Sequence, residues 1–205
     1  MKEKFKDIDI NNEKVKRIIN CALEEFSKNK FEKASTNNIV KAANVSRGLM
    51  YHYFKDKQEL FEFLIDFSIT IVVKEFKERF DWSDTDLLNR FKQVAEIKLE
   101  LFFRYPYLID FYVKAVDEAL INELKNSERL KNAGIHKQFY MENIDRSKFK
   151  DDIDVDKAIN VIRLTLKKNN EENESRLKSG EVLDTEEIFK EYNDYIEFFR
   201  KVFYK

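Results

Sequence analysis

The stretch Ser35–Leu60, STNNIVKAANVSRGLMYHYFKDKQEL, contains two short helical segments separated by a tight turn. Ser35 and Ser46 can each cap a helix through a hydroxyl group, and Asn44 tolerates the left-handed backbone conformation that a chain reversal requires. Small or apolar residues stand where the two segments would touch, namely Ile39, Ala42, Ala43, Val45, Met50 and Phe54. This pattern predicts a helix-turn-helix unit.

The second short helix leaves polar, aromatic and basic residues for its outer side. Arg47 could bond guanine edges or hold a phosphate, and the hydroxyls of Tyr51 and Tyr53 could position the helix on phosphates. Gly48 permits close backbone approach, and Lys57 adds a charge beside helix amides that suit another phosphate. The predicted DNA contacts are Ser35, Thr36, Ser46, Arg47, Gly48, Leu49, Tyr51, His52, Tyr53 and Lys57.

Two interpretations stay open for parts of this region. Tyr51, His52 and Tyr53 could belong to an amphipathic helix packed on its neighbours, although three consecutive polar aromatic residues opposite Met50 and Phe54 cannot all be core. The lysines of the N-terminal arm, Lys2, Lys4 and Lys6, could reach a groove or phosphate, or could lie in a frayed, solvated tail.

The stretch Ile39–Leu60 resembles the N-terminal domain of TetR-family transcriptional regulators, with the pattern I-A-x-x-A-G-V-S-x-G-x-L-Y-x-Y/H-F-x-x-K-x-x-L. Upstream, Ala22–Phe26 is similar to the first-helix pattern of the family. Two positions depart from the pattern, because Asn44 replaces the usual turn glycine and Lys30 replaces a glycine often found before the second helix. The resemblance covers about 50 residues and implies a homodimeric DNA-binding protein whose body takes a small molecule.

The composition favours an all-α protein, because the 205 residues include three Gly and one Pro. We expect about nine helices. Their predicted ranges are 12–29, 35–43, 47–53, 56–80, a helix that carries Leu88 to Phe103 and ends at Pro106, a new helix that begins at Pro106, 117–141 with a break near Gly134, 154–179 and a last helix from residue 184 or 185 to the C-terminus. No apolar run is long enough for a membrane span and no signal core follows Met1, so we expect a cytoplasmic protein that does not associate with membranes.

The charge is distributed unevenly along the chain. Residues 1–58 contain 13 basic and 8 acidic residues, and residues 59–205 contain 25 basic and 31 acidic residues. A basic head on an acidic body points to a polyanionic partner for the head, although a chance fluctuation would look the same. We predict a helix-turn-helix DNA-binding domain at residues 1–58 and a helical ligand-binding and dimerisation domain at residues 59–205.

Aromatic residues crowd around Pro106 in the predicted body. The predicted effector-binding residues are Phe67, Phe91, Phe102, Phe103, Tyr107, Phe111 and Tyr112. Aromatic residues at helical spacing often form ordinary core, but buried tyrosine hydroxyls need partners and so favour a pocket.

Two late helices carry apolar stripes that could meet a second subunit. The predicted interface residues are Ile159, Ile162, Leu166, Tyr192, Tyr195, Ile196, Phe199 and Phe203. The alternative is that both stripes pack within one subunit.

The resemblance implies a repressor that leaves a palindromic operator when a small apolar or aromatic effector enters its body; the sequence itself shows only the continuous helix from about residue 57 that could transmit the change. The alternative is a DNA-binding protein whose body binds a protein partner. We expect no enzymatic activity, cofactor or metal, because the chain has two histidines, a single cysteine and no glycine-rich phosphate loop.

Overall fold

The computed structural model describes residues 2–121, 140 and 142–205, and these residues are helical throughout apart from short connections. The α-helices are α1 (Glu13–Lys28), α2 (Thr36–Ala42), α3 (Arg47–Tyr53), α4 (Lys57–Arg79), α5 (Leu87–Arg104), α6 (Leu108–Ile121), α7 (Val155–Lys178) and α8 (Thr185–Phe203). Two 3-10 turns, Glu3–Phe5 and Arg146–Lys148, precede α1 and α7. None of the helices in this described part is long and apolar enough to cross a bilayer.

Local capping sets most of these boundaries. The Asn12 side chain accepts a hydrogen bond from the Lys14 amide at 2.9 Å at the start of α1, and Asp154 accepts from the Lys157 amide at 3.1 Å at the start of α7. Asp184 does the same for α8, at 2.9 Å from the Glu186 amide. Gly180 follows α7 with a φ of 90°, a conformation that favours glycine. The predicted starts of these helices are confirmed.

The described residues divide into two compact units, one formed by residues 2–78 and 98–121 and the other by residues 79–97, 140 and 142–205. The chain passes from the first unit to the second between Glu78 and Arg79, at the end of α4, and returns to the first unit between Ile97 and Lys98, within α5. These compact units are a geometric division, and the functional boundary near residue 58 stays a prediction.

The first unit contains α1 to α4, the second half of α5, and α6. Its core is rich in phenylalanine, and Phe26, Phe61 and Phe111 form a connected group with ring centroids 5.0 to 6.4 Å apart. Because Phe26 belongs to α1, Phe61 to α4 and Phe111 to α6, this group packs three helices against one another.

The second unit contains the first half of α5 with α7 and α8. Its core includes Leu88, Phe91, Ile162, Leu166 and Ile196. Asp86, at the start of α5, is 5% exposed at its side chain and accepts from Arg200 and Lys148, both at 3.0 Å. The pairing of this buried carboxylate with two partly exposed cations fixes the end of α8 to the start of α5.

The predicted helix at residues 117–141 falls largely outside the described residues. Its beginning coincides with the last part of α6, which ends at Ile121. The expected break near Gly134 and the second histidine, His136, lie outside the described part of the chain.

Candidate nucleic-acid interface

The turn between α2 and α3 has the geometry that the sequence predicts. Ser35 Oγ accepts from the Asn38 amide at 3.4 Å, and Ser46 Oγ accepts from the Leu49 amide at 3.1 Å. Asn44 has a φ of 50°, so the asparagine that replaces the usual glycine takes the left-handed conformation. The Val45 amide then donates to the Val40 carbonyl at 3.1 Å and closes the turn.

Packing of these short helices fixes which side of α3 faces outward. Ile39, Ala43, Met50 and Phe54 are each at most 1% exposed. Arg47, Gly48 and His52 are exposed, while Leu49, Tyr51 and Tyr53 are half-buried. We call these six residues the outer face of α3.

Gly48 lies open on this outer face. A Cβ added at this position would meet no atom of the chain within 4 Å. The backbone at Gly48 is therefore open to the approach of a macromolecule.

Tyr51 is held in place from both sides. Its hydroxyl lies 3.5 Å from Thr36 Oγ1, and the Arg47 guanidinium lies 5.6 Å from the centre of its ring. Hydrogen bonding to Thr36, and then to Arg47, lowers the pKa of the Tyr51 phenol. The structure thus brings three predicted contact residues, Thr36, Arg47 and Tyr51, into one group.

Lys57 has internal partners that the sequence did not reveal. Its ammonium donates to the carbonyls of Phe31 at 2.7 Å and Ala34 at 3.1 Å, and it lies 4.6 Å from the centre of the Phe31 ring. Asp56 and Glu59 already engage amides at the start of α4, at 2.8 Å and 2.7 Å. Lys57 therefore ties α4 to the connection between α1 and α2, and its phosphate contact stays a prediction.

The N-terminal arm is folded against α4. Phe5 is 1% exposed and its ring packs edge-on against Phe63 at 5.3 Å. Lys4 pairs with Glu62 at 2.6 Å, and the Lys2 amide donates to Asp66. The description of residues 2–6 as a frayed tail is therefore wrong, because a buried ring and an ion pair hold them.

The predicted effector-binding residues divide between the two units. Phe67, Phe111 and Tyr112 are buried in the first unit, and desolvation raises the pKa of Tyr112 to about 12. Phe102 is 9% exposed and Phe103 is 51% exposed, while Tyr107 is half-buried with the Lys28 ammonium 5.1 Å from its ring centre. Phe91 belongs to the second unit and stacks on Tyr140 at 4.4 Å. Their role in binding an effector stays a prediction.

Most of the predicted dimer residues belong to the core of a single chain. Ile159, Ile162, Leu166, Tyr192, Ile196 and Phe199 are each at most 4% exposed, and Tyr195 and Phe203 are half-buried against the same core. On the same two helices Val161, Leu164, Phe198 and Val202 are 39% to 57% exposed. A contact between subunits through α7 and α8 would use this second set.

Metal chemistry finds no support in the described part of the chain. No group of three or more His, Cys, Asp and Glu residues there could hold a metal ion. The outer face of α3 instead presents hydroxyls, a guanidinium and open backbone, which are groups suited to phosphates and base edges.

Comparisons with known proteins agree with this geometry. Residues 18–64, from α1 to α4, match the family of bacterial regulatory proteins known as the tetR family. The chain is 28% identical over 118 residues to the HTH-type transcriptional regulator QacR of Staphylococcus aureus, a match that covers 54% of this chain and 60% of that protein.

Two solved structures share the fold. A TetR family transcriptional regulator from Chloroflexus aurantiacus superposes with a TM-score of 0.61 at 20% identity, over 100% of this chain and 98% of the other. A gamma-butyrolactone receptor, an ArpA-like protein, superposes with a TM-score of 0.55 at 16% identity, over 92% and 97% of the two chains. With the capped helix-turn-helix and its open outer face, these likenesses show that residues 18–64 match the DNA-binding domain of the tetR family and that the chain has the all-α fold of these two solved proteins.

Proposed function

We propose that this regulator is a homodimeric repressor that a small apolar or aromatic effector releases from a palindromic operator. The observation that carries the proposal is the outer face of α3, where Arg47, Gly48 and His52 are exposed beside the fixed Tyr51 hydroxyl. This face contains no large apolar residue in full solvent, so it suits a duplex better than an apolar protein surface.

Different residues of this face would position the protein on the DNA backbone and recognise the bases. Tyr51 and Tyr53 carry neutral hydroxyls that can donate to phosphate oxygens, a contact that does not depend on base sequence. Arg47 stands at the first position of α3, where a recognition helix meets base edges, and its fork of donors suits guanine. Sequence preference would then depend on Arg47 more than on the tyrosines.

The long helix α4 connects the helix-turn-helix with one of the predicted effector-binding residues. The 23-residue helix α4 spans about 35 Å at the usual rise per residue and begins directly after the outer face of α3. Phe67, a predicted effector residue, lies on α4 and packs edge-on against Tyr105 at 5.2 Å. A ligand that displaces Phe67 would therefore displace α4, and α3, which directly precedes α4 in the chain, would move with it.

A second connection runs through α6. The Lys114 ammonium donates to the carbonyls of Phe26 at 2.9 Å, Ser27 at 3.3 Å and Asn29 at 2.8 Å. These carbonyls lie at the C-terminal end of α1, where a cation is favoured. Because Phe111 and Tyr112 belong to the same helix as Lys114, movement of α6 on ligand binding would displace α1. A coupling of about 1–3 kcal/mol is enough to change DNA affinity by about 5- to 150-fold.

The dimer is needed for recognition of two half-sites about 34–36 Å apart. Exposed apolar side chains on α7 (Val161 and Leu164) and on α8 (Phe198 and Val202) support an interface through the outer faces of these helices. Apolar side chains of this size gain free energy when a second subunit covers them.

Selection of bound fragments from random DNA by the full-length chain tests the proposal. We expect enrichment of a palindrome whose half-sites are one helical turn apart, bound by two subunits. Enrichment of a single asymmetric site, or of no sequence at all at low salt, would contradict the proposed mode of DNA recognition.

The second candidate is a DNA-binding protein whose body binds another protein, which the charged surface of α7 and α8 permits. A panel of small apolar and aromatic compounds distinguishes the two candidates. If the body takes an effector, at least one compound raises the Tm and weakens operator binding. A body built for a protein partner gains no Tm from any of them.

A further inference from the structure

The buried side of α7 changes from apolar to polar along its length. Ile159, Ile162 and Leu166 are buried at helical spacing, and the same stripe continues with Asn169 and Asn173, each 6% exposed. The two asparagines therefore occupy positions where the pattern of the helix calls for apolar core residues.

Each of these asparagines has a buried amide atom that lacks a hydrogen-bond partner. Among the described residues nothing bonds to Asn169 Oδ1 or to Asn173 Nδ2. Buried polar groups in native proteins are nearly always paired, and an unpaired group destabilises the fold. The other unpartnered buried atoms, Asn20 Oδ1 and Ser68 Oγ, belong to the first unit and to different helices.

The two unpartnered atoms are chemically complementary to one kind of molecule. Residues four apart on a helix are neighbours on one side, with Cβ atoms about 5–6 Å apart. Asn169 offers an acceptor and Asn173 offers a donor. A group that both donates and accepts, with its two polar atoms side by side, can satisfy both asparagines at once.

The core cluster that the buried stripe of α7 joins is apolar and partly aromatic. Leu166, about one turn before Asn169, belongs to the same cluster as Phe91, on which Tyr140 stacks with centroids 4.4 Å apart. The hydroxyl of Tyr192, a member of the same cluster, already donates to the Phe91 carbonyl at 3.1 Å. A carboxylate would bring a buried charge and could not donate to Asn169, so an uncharged amide fits better.

We infer that Asn169 and Asn173 form a binding site for a neutral carboxamide or lactam, whose N–H donates to Asn169 Oδ1 and whose carbonyl accepts from Asn173 Nδ2. This inference rests on the proposed function, because it gives the effector a chemical class. The two asparagines keep their polar groups free for the ligand at the expense of stability in its absence.

Matched amides and ketones test the inference on the full-length protein. The probes are benzamide, phenylacetamide and hexanamide, each compared with the methyl ketone of the same shape: acetophenone, phenylacetone and 2-heptanone. Replacement of the amide NH2 by CH3 removes the donor and keeps the carbonyl. We expect at least one amide at millimolar concentration to raise the Tm by about 2 °C more than its ketone.

Two variants link this preference to the asparagines. In N169L/N173L the amide preference should disappear, and the Tm without ligand should rise by about 2–4 °C or more, because leucine completes the apolar stripe. The control N160L replaces an exposed asparagine of the same helix and should keep the amide preference.

Several outcomes would overturn the inference. It fails if no amide exceeds its ketone, which is the result expected when only water occupies the site. It also fails if N169L/N173L keeps the preference. A double variant that unfolds or melts at a lower temperature shows that the fold itself requires the asparagines, and this too overturns it.

Operator binding separates this inference from the proposed function. If the wild type shows the amide preference but the amide leaves operator affinity unchanged, the site stands and release by an effector fails. If N169L/N173L binds the operator like the wild type but no amide affects either protein, DNA recognition stands and the amide site fails.

Discussion

At the residue scale, Tyr51 shows how a side chain of the outer face of α3 is oriented in the absence of DNA. Its hydroxyl contacts Thr36 and its ring lies beneath the Arg47 guanidinium. A side chain fixed in this way loses little rotamer freedom when DNA binds. The same contacts also orient Arg47, so the two residues act as a pair.

Loss of the hydroxyls of Tyr51 and Tyr53 tests the phosphate role. The variant Y51F/Y53F should weaken binding of the proposed dimer to operator and unrelated DNA alike, by about 30- to 900-fold for four lost hydrogen bonds, two in each subunit, of about 0.5–1 kcal/mol each. Fluorescence anisotropy with both DNA sequences measures this loss. Y195F, which removes a hydroxyl from α8, is the control, and a change in base preference in Y51F/Y53F would contradict the phosphate role.

Asp86 carries a pH-dependent part of the stability. Although burial acts to raise the pKa of this carboxyl, hydrogen bonds from Arg200 and Lys148 outweigh burial and lower the pKa from 3.8 to about 2. A pKa that is lower in the folded state stabilises the fold above the unfolded pKa and ceases to do so as the pH falls through the folded pKa. The stabilisation, about 2 kcal/mol, is therefore complete above pH 5 or so and disappears between about pH 4 and pH 2.

The variant D86N should lower the free energy of unfolding at pH 7 by about 2–4 kcal/mol, because Arg200 and Lys148 lose their buried partner. Urea unfolding between pH 2 and pH 7 measures both effects. D194N changes an exposed carboxyl on α8 and should keep the acid dependence of the wild type. If D86N keeps the acid dependence of the wild type, the loss of stability at low pH arises from carboxyls other than Asp86.

At the scale of helices, lysine side chains join elements that are distant in sequence. Lys57 ties α4 to the segment before α2, and Lys114 ties α6 to the end of α1. Each ammonium replaces water at carbonyls that no helix hydrogen bond satisfies. Charged side chains thus supplement the hydrophobic contacts of the first unit at the end of α1 and in the connection between α1 and α2.

Removal of the Lys114 ammonium, which bonds carbonyls at the end of α1, should weaken the contact between α6 and α1. The variant K114M should lower the free energy of unfolding by about 1–2 kcal/mol, since three carbonyls lose a charged donor. Chemical denaturation gives the value, and hydrogen exchange at the end of α1 should become faster. The control K168M alters an exposed lysine of α7, and equal losses in both variants would remove any special role of Lys114.

Variants at two neighbouring phenylalanines of α8 distinguish a contact between subunits from packing within one chain. Phe198 is 57% exposed and Phe199 is 3% exposed. F198E should give folded monomers on a sizing column with a Tm near that of the wild type, because only a contact between subunits is lost. F199E should unfold or melt far lower, because it places a charge in the core. A dimeric F198E would exclude this part of α8 from the interface.

At the scale of the whole molecule, the proposed dimer would present two helix-turn-helix units to the operator. Each unit would contribute a small outer face of α3, so affinity would come from two half-sites and from phosphate contacts at each. Net charge contributes little, because the chain carries 38 basic and 39 acidic residues. In the proposed mode of binding, the excess of basic residues in residues 1–58 would supply the local attraction to DNA.

The salt dependence of binding should report these phosphate contacts. If a dimer makes about 6–10 of them, operator affinity should fall by about 1,000- to 100,000-fold between 50 and 200 mM salt. Titration of labelled operator at four salt concentrations gives the slope. The heterodimer of wild-type and Y51F/Y53F subunits provides a control with an intermediate number of tyrosine contacts. An affinity that is independent of salt would contradict binding through phosphates.

Features that depend on near neighbours in the chain were predictable from the sequence. The caps at Asn12, Ser35 and Ser46 and the left-handed Asn44 each involve atoms only a few residues apart. Such local hydrogen bonds are encoded by residue type and spacing alone. These local features made the helix-turn-helix and its exposed side predictable. The same stretch of sequence carries the resemblance to the TetR family.

Features that depend on distant residues were decided only by the tertiary structure. The apolar stripes of α7 and α8 read equally well as interface or core, and the fold placed Ile162 and Phe199 inside one chain. The partners of Lys114 lie 85 to 88 residues away, and Phe5 finds Phe63 only when the arm folds back. Periodicity shows which side of a helix is apolar. Which surface covers that side depends on the packing of residues far apart in the chain, so the sequence pattern alone does not determine it.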